Sequence, residues 1–298
     1  MFSSALVIVA AFLAAGQILV AGTAEAKALL DAGKYAEAGA AYREALKRSP
    51  NDPLALAGLG MALNGTGLYL EAITPLTKAV EADPRNAAVL RELIRAFVGS
   101  NSFGEAERFL GVLLKANQQD REGWYLFGVL LLQNGYYATA ERAFARAVEP
   151  GAAPGKASVY RAVCQLQLNR QAEAEEAFRS LSGQPHLAGD LDLLIGFAQL
   201  SYEMGDFERG AALSKKAATL APDNAEAGLW HTRCLTKLGQ WRPALAEAER
   251  VAAVAPDRPQ IHHLLLRIYR QVGDNRLAER ETAWLRAHGE RRAAGAKP

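Results

Sequence analysis

A Gly or Asn residue returns at a fixed step along this chain. The step is 34 residues throughout, except for one step of 36 residues between Asn169 and Gly205. The eight positions are Gly33, Gly67, Asn101, Gly135, Asn169, Gly205, Gly239 and Gly273. Because both residue types tolerate the left-handed backbone conformation that ends a helix, each position is predicted to be a turn. The chain is therefore predicted to repeat one short unit about eight times.

Two further positions keep the same register. An aromatic residue stands two positions after the turn in six of the eight units, and a small residue stands five positions after it in all eight. The small residues are Ala38, Ala72, Ala106, Ala140, Ala174, Gly210, Ala244 and Ala278. Where two antiparallel helices cross, one side must be small so that bulky residues of the other can interdigitate. Each unit is thus predicted to be a pair of short amphipathic helices.

The segment from Arg121 to Pro154 shows the pattern most fully. Its marker residues are Trp124, Phe127, Gly128, Gly135, Tyr137, Ala140 and Phe144. A 34-residue helix–turn–helix unit with a W-x-x-F-G opening, a later small residue and, in several units, a closing proline resembles the tetratricopeptide repeat. The resemblance covers about Thr23 to Gly289. It implies an all-α protein, a right-handed α-solenoid of about eight helix–turn–helix repeats.

Residues 1–22 stand apart from the repeats. Residues 5–22 form an apolar run interrupted only by Gly16 and Gln17, and its length fits a signal peptide or a transmembrane anchor. A small-x-small site at residues 24–26 would permit cleavage, and a membrane-anchored or exported protein with periplasmic or extracytoplasmic repeats is favoured. Lys27 and Lys34 follow the run, so the positive-inside rule keeps cytoplasmic repeats as an alternative. An apolar helix that caps the first repeat is a third interpretation.

Two segments interrupt the repeats of residues 23–289, and a third segment follows them. Residues 149–156 are rich in Gly and Pro and form either a hinge or a longer turn. The two extra residues of the 36-residue step fall in an irregular loop at residues 181–192, marked by Gly183, Pro185 and Gly189. Residues 290–298 are basic and lack apolar periodicity, which predicts a disordered tail.

Nothing in the sequence indicates catalysis, so the chain is predicted not to be an enzyme. Gly151 to Ser158 has a glycine spacing that is one residue short of a phosphate-binding loop, and the histidines lack zinc-ligand spacing. Ser182, His186, Asp190 and Asp192 share one loop, which is interpreted as a solvated loop. We therefore predict no catalytic, cofactor or metal site and no small-molecule substrate.

The two cysteines and the net charge bear on disulfide bonding and on nucleic-acid binding. Cys164 and Cys234 occupy equivalent places two repeats apart, which is too far for a disulfide, and both are predicted to be small packed residues. The net charge is only +2, from 34 basic and 32 acidic residues, so no strong field favours nucleic acid.

Recognition of a protein or peptide partner is the class of function that remains for this chain. In tetratricopeptide repeat proteins the first helix of each pair lines a concave groove, so the resemblance nominates groove-facing residues here. They are Met61, Asn64, Arg91, Arg95, Tyr125, Val129, Ile195, Gln199, Tyr202, Leu229, Arg233, His263, Arg267 and Arg270. Apolar and aromatic anchors would supply affinity, and the two basic clusters at either end would orient acidic or carboxylate groups. For Arg91 and Arg95, a solvated helix face is the alternative.

These residues predict a non-enzymatic scaffold or adaptor that binds peptide segments in the groove of the solenoid. The Lys and Asn combination with which this family clamps a C-terminal carboxylate is absent here. The alternative is a structural component that associates with itself and organises a cell-envelope complex. Residues 5–22 would contact the membrane if they are not cleaved.

Overall fold

The computed structural model describes residues 23–295 of the chain, with side chains as far as Gly289. The predicted signal peptide or membrane anchor at residues 1–22 lies outside this described range. Within it, no helix has both the length and the apolar character that a membrane span requires.

Sixteen α-helices make up the described residues, together with a 3-10 helix at Pro185–Leu187 and no strand. The all-α prediction is therefore confirmed. The helices are α1 (23–31), α2 (Tyr35–Arg48), α3 (Pro53–Gly65), α4 (Tyr69–Ala82), α5 (Ala87–Gly99), α6 (Phe103–Ala116), α7 (Arg121–Gln133), α8 (Tyr137–Ala147), α9 (Lys156–Gln167), α10 (Gln171–Ser182), α11 (Leu191–Glu203), α12 (Phe207–Leu220), α13 (Ala225–Lys237), α14 (Trp241–Val254), α15 (Pro259–Val272) and α16 (Asn275–Gly295).

The helices form two compact units, and the division falls between Glu149 and Pro150. Unit 1 contains α1–α8 and unit 2 contains α9–α16. Within unit 1 the odd-numbered helices α3, α5 and α7 pack side by side, and within unit 2 so do α9, α11, α13 and α15. Within each unit, the even-numbered helices pack against the odd-numbered helices next to them in the chain, so helix pairs stack as in an α-solenoid. The division coincides with the Gly- and Pro-rich stretch at residues 149–156.

The turn residues behave as their type predicts. All eight adopt positive φ, from 59° at Asn101 and Asn169 to 85° at Gly273. In the second repeat the amide of Gly67 donates to the carbonyl of Asn64, and the amide of Leu68 donates to the carbonyl of Leu63, which satisfies the last carbonyls of α3. The left-handed residue thereby reverses the chain with few unpaired backbone groups.

The small residues of the repeat are buried within the helix packing. Seven of the eight are alanines buried to 4% exposure or less, and the eighth, Gly210, is also buried. In the fourth repeat Ala140 lies on the same helix as the fully buried Phe144, whose ring packs directly over Gly128 of α7. The burial of Ala140 and the close approach of Phe144 to Gly128 are consistent with the packing predicted from the repeat.

The irregular loop is shorter than predicted. Helix α10 continues to Ser182 and α11 begins at Leu191, so helix covers both ends of the predicted stretch 181–192. The 3-10 helix between them buries Leu187, and the Asp190 side chain caps α11 by accepting from the Leu193 amide at 2.9 Å.

Helix α16 continues to Gly295, into the stretch 290–298 for which the sequence predicts a disordered tail. Upstream, this helix is fixed to α15 through His262, whose Nδ1 lies 2.6 Å from Glu281 and whose Nε2 lies 2.8 Å from the carbonyl of Pro256. The Trp284 ring stacks on the His262 ring at 3.5 Å between centroids. These contacts anchor α16, and the helix extends beyond them without apolar periodicity.

The packing over Gly128 makes a testable prediction. A Cβ atom at this position would lie 2.6 Å from Cε1 of the buried Phe144 ring, so Gly128→Ala should destabilise the fold by about 1–3 kcal/mol through overpacking. The matched control is Gly111→Ala in α6, where nothing lies within 4 Å and the better helix propensity should add up to about 1 kcal/mol of stability. Urea unfolding monitored by circular dichroism measures the free energy of unfolding of both variants. Equal changes in the two variants would contradict the packing of the Phe144 ring over Gly128.

Candidate partner-binding faces

The odd-helix face of unit 1, formed by α3, α5 and α7, carries six of the nominated residues. Met61, Tyr125 and Val129 are half-buried and pack against the core of the unit rather than standing clear of it. The Tyr125 ring lies 6.0 Å from the Phe144 ring. Part of each side chain thus stabilises the fold, and part remains accessible on this face.

Asn64 serves mainly to connect two repeats. It is 7% exposed, and its Nδ2 donates to both the carbonyl and the carboxylate of Glu92 in α5, each at 2.8 Å. Its Oδ1 is buried and has no hydrogen-bond partner among the described residues. The prediction that Asn64 faces a ligand is therefore not matched by its surroundings, because its donor group is already engaged.

The first basic cluster is already paired within the fold. Arg91 donates from Nε to the buried Asp120 at 3.0 Å and lies 3.6 Å from Glu122. Arg95 donates to Glu122 at 2.6 Å and lies 3.6 Å from Glu92. Asp120 also caps α7 by accepting from the Gly123 amide at 2.9 Å. Three carboxylates of the chain already hold these two arginines, and their role in orienting acidic groups of a partner stays a prediction.

The odd-helix face of unit 2 is formed by α9, α11, α13 and α15. Leu229 is only 2% exposed and belongs to an apolar core built from α13, α14, α15 and α16, so its burial does not favour its nomination as a ligand contact. Ile195 is half-buried in a small apolar cluster. Gln199 is half-buried and donates to Glu203 at 2.9 Å, one turn further along α11.

A layer of aromatic rings supports the basic residues of this face. The Tyr202 ring meets the buried Trp230 ring edge to face at 5.6 Å. The guanidinium of Arg233 lies 4.5 Å above the Trp230 ring, and the ammonium of Lys237 lies 5.8 Å from the Tyr202 ring. Trp230 and Lys237 were not nominated from the sequence, although Lys237 lies one helical turn after Arg233 and this spacing could have indicated it.

The second basic cluster is accessible. His263, Arg267 and Arg270 are all exposed on α15, and among the residues that the structure describes none of them pairs with a carboxylate. Their spacing places them on one side of the helix. The two predicted basic clusters therefore differ, because one is neutralised within the fold and the other is open to solvent.

The polar residues that share the loop of unit 2 form no common site. Ser182 donates to the carbonyl of Phe178 at 2.7 Å, and His186 contacts the carbonyl of Pro154 at 2.7 Å. Asp190 and Asp192 both pair with Lys156, at 2.7 and 2.6 Å. In the described part of the chain, no group of three or more His, Cys, Asp or Glu side chains is arranged to hold a metal ion.

Both cysteines are fully buried, and no disulfide joins them. Burial raises the pKa of the Cys234 thiol to about 11, although the nearby Arg233 acts in the opposite direction. A thiol in this state is protonated at neutral pH and is a poor nucleophile. The geometry supports the packing role predicted for the cysteines.

Unit 2 also contains a cavity of about 680 Å³ between α12, α13 and α14. Small and apolar side chains such as Leu235 and Ala246 line it, with His231, Glu247 and Arg250 at one side. Arg250 donates to both carboxylate oxygens of Glu247, at 2.6 and 3.0 Å. Burial alone would raise the pKa of Glu247, but the attraction of His231 and Arg250 outweighs it and lowers that pKa to about 2.

Comparison with known families identifies the chain. Two models, both described as tetratricopeptide repeat, match residues 23–87 and 137–185 and residues 63–127 and 201–268, respectively. Together these matches cover most of the chain. The chain belongs to the tetratricopeptide repeat family. Proteins with this repeat are interaction scaffolds, and this general role is the one that family membership assigns to the chain.

Individual relatives of this tetratricopeptide repeat protein are distant. A tetratricopeptide repeat protein from Parabacteroides merdae has 21% identity and a TM-score of 0.65, over 84% of this chain and 98% of that one. A chain of the Cut9-Hcn1 hetero-tetramer of APC/C has 15% identity and a TM-score of 0.71, over 85% and 50%. These two share the fold. Cellulose synthase operon protein C of Komagataeibacter xylinus is 35% identical over 81 residues, which are 27% of this chain and only 6% of that protein.

The paired arginines of unit 1 should contribute to stability. Arg91→Ala leaves the buried carboxylate of Asp120 without its partner, and we expect a loss of about 1–2 kcal/mol after allowance for the partial exposure of Arg91. Arg267→Ala removes an exposed arginine that has no carboxylate partner among the described residues, and it should change stability by less than about 0.5 kcal/mol. Chemical denaturation compares the two variants, and a smaller effect at Arg91 than at Arg267 would refute the structural role of the pair.

The depressed pKa of Glu247 predicts a pH-dependent contribution to stability. Its folded pKa of about 2 lies below the value of about 4.3 for an unfolded chain, so the stabilisation is present above the unfolded pKa and is lost as the pH falls toward 2. Glu247→Gln should therefore be less stable than the parent protein at pH 6, and the difference should shrink between about pH 4.5 and pH 2. Thermal melts across this pH range measure the stability difference between the two proteins. A difference that does not vary with pH would contradict the lowered pKa of Glu247.

Proposed function

We propose that this chain is a non-catalytic scaffold or adaptor that binds peptide segments of partner proteins on its odd-helix faces. In each unit the odd-numbered helices pack side by side. They present apolar and aromatic side chains that are only half-buried, such as Tyr125 and Tyr202, and these side chains support the proposal. Such side chains anchor partners effectively because they bring large contact areas at a low entropic cost.

The partner class follows from the shape of these faces. A row of parallel helices offers contacts at regular intervals, which suits an extended or helical segment better than a small molecule. We propose that no cofactor takes part, and that the carboxylate clamp of the family is not used. The apolar run at residues 5–22, which lies outside the described residues, supports the proposal that the scaffold is exported or held at a membrane.

A self-associating structural component is the second candidate. Its support comes from the turn edge of unit 1, where Leu68, Leu70 and Tyr136 are exposed, with 73% exposure for Leu70. A protein that assembles through this edge would change its mass with concentration. An adaptor would remain a monomer until a partner is added, so light scattering over a dilution series separates the two candidates.

Peptide selection followed by cross-link mapping tests the proposed binding of peptide segments to the odd-helix faces. The purified chain is used to select from a display library of random peptides of about 12 residues, which span about 40 Å when extended. Selected peptides are synthesised with a photoreactive benzophenone residue, cross-linked to the chain, and mapped by mass spectrometry. We expect cross-links on the odd-numbered helices. Failure to select any peptide, or cross-links confined to the even-numbered helices, would refute the proposed function.

A further inference from the structure

We infer that the odd-helix face of α13 and α15 selects acidic peptide segments. We call this surface the basic face and define it by Arg233, Lys237, His263, Arg267 and Arg270. The inference rests on the proposed function and adds the chemistry of the partner and the place of recognition. It assigns selectivity to unit 2 and leaves the basic cluster of unit 1 with a structural role.

In the described part of the chain, the residues of the basic face have no carboxylate partner. Helix α15 contains no acidic residue, and α13 contains only Glu226. Glu226 pairs with Arg258 at 2.8 Å and is therefore already engaged. On α5, by contrast, Arg91 and Arg95 are held by Glu92, Asp120 and Glu122. Of these two basic surfaces, the basic face is thus the one that has positive charge available for a ligand.

Arg233 is held in a suitable orientation before any ligand binds. Its guanidinium stacks 4.5 Å above the ring of Trp230, which is itself buried and supported by the edge of Tyr202. Stacking occupies the flat side of a guanidinium and leaves the N–H groups around its rim available for a carboxylate. Such fixed, charge-assisted donors bind carboxylates more strongly than neutral donors do.

The repeat spacing sets the pattern that this face would read. Arg233 and Arg267 are 34 residues apart, at equivalent positions of the neighbouring helices α13 and α15. Packed helices lie about 8–10 Å apart. An extended peptide advances about 3.3 Å per residue, so acidic side chains two to four positions apart, about 7–13 Å, match this separation. The preferred ligand is therefore an extended segment with at least two closely spaced Asp or Glu residues.

The surroundings favour a peptide over a nucleic acid. Proteins that bind single strands combine positive charge with exposed aromatic rings on which bases stack. Here the Trp230 ring is buried and already covered by Arg233. The net charge of +2 for the whole chain also provides no broad positive field along which a long polyanion would track. The charge of the basic face is local and suits a short acidic segment.

The same selection experiment tests the inference through the composition of the selected peptides. Peptides selected by the parent protein should be enriched in Asp and Glu, and replacement of these residues by Asn and Gln in a synthetic peptide should weaken binding. In fluorescence anisotropy, Arg233→Glu with Arg267→Glu should weaken that peptide by at least about tenfold. Arg233→Gln with Arg267→Gln provides a milder second variant should the charge reversal impair folding.

The chain offers a matched control. Arg242 and Arg276 are also 34 residues apart and exposed, but they lie on the even-numbered helices α14 and α16. Arg242→Glu with Arg276→Glu makes the same change of net charge and should alter affinity by less than about twofold. An equal loss in both double variants would overturn the inference, because it would show a general charge effect.

The remaining outcomes separate the inference from the proposed function. Selected peptides that cross-link to the odd-numbered helices but show no acidic preference would overturn the inference and leave the scaffold function intact. Displacement of the acidic peptide by an equal concentration of a single-stranded oligonucleotide of similar charge would also overturn it, since the basic face would then bind polyanions in general. If no peptide is selected at all, the proposed function itself fails.

Discussion

The close crossing of the two helices within each repeat is the contact on which the rest of the architecture depends. In the fourth repeat the missing side chain of Gly128 leaves room for the Phe144 ring, and Ala140 is fully buried on the same helix as Phe144. The left-handed turn residue reverses the chain so that the two helices can meet. Within each unit, each pair then buries its remaining apolar surface on the next pair, and no single central core is needed.

Polar contacts between successive repeats reinforce this stacking. Asn64 reaches Glu92, Arg91 reaches Asp120, and Lys156 reaches Asp190, and each contact spans 28–34 residues. Asp120 and Asp190 are also N-caps, so one carboxylate both starts a helix and holds the preceding repeat. A basic residue on an odd-numbered helix can therefore stabilise the stack instead of binding a partner. Only its carboxylate neighbours distinguish the two roles.

The sequence predicted what depends on local pattern and missed what depends on contacts between repeats. The period of 34 residues located the turns, the helix pairs and the small crossing residues, because each follows from residue types at fixed positions. The exposure of Arg267 and Arg270 also followed from that register. The pairing of Arg91 and Arg95 did not, since their partners Asp120 and Glu122 lie 27–29 residues away. The burial of Leu229 depends on its packing with residues of other helices in unit 2, which the residue type alone does not specify.

The state of the two cysteines has a practical consequence. Both thiols are buried, and the pKa of Cys234 is raised to about 11, so the native chain should react slowly with thiol-directed reagents. A single cysteine introduced at an exposed position can then be labelled selectively without removing the native pair. Fluorophores could be attached one at a time along α13 and α15 in an otherwise unmodified protein. Contacts with an added peptide could then be followed residue by residue in solution.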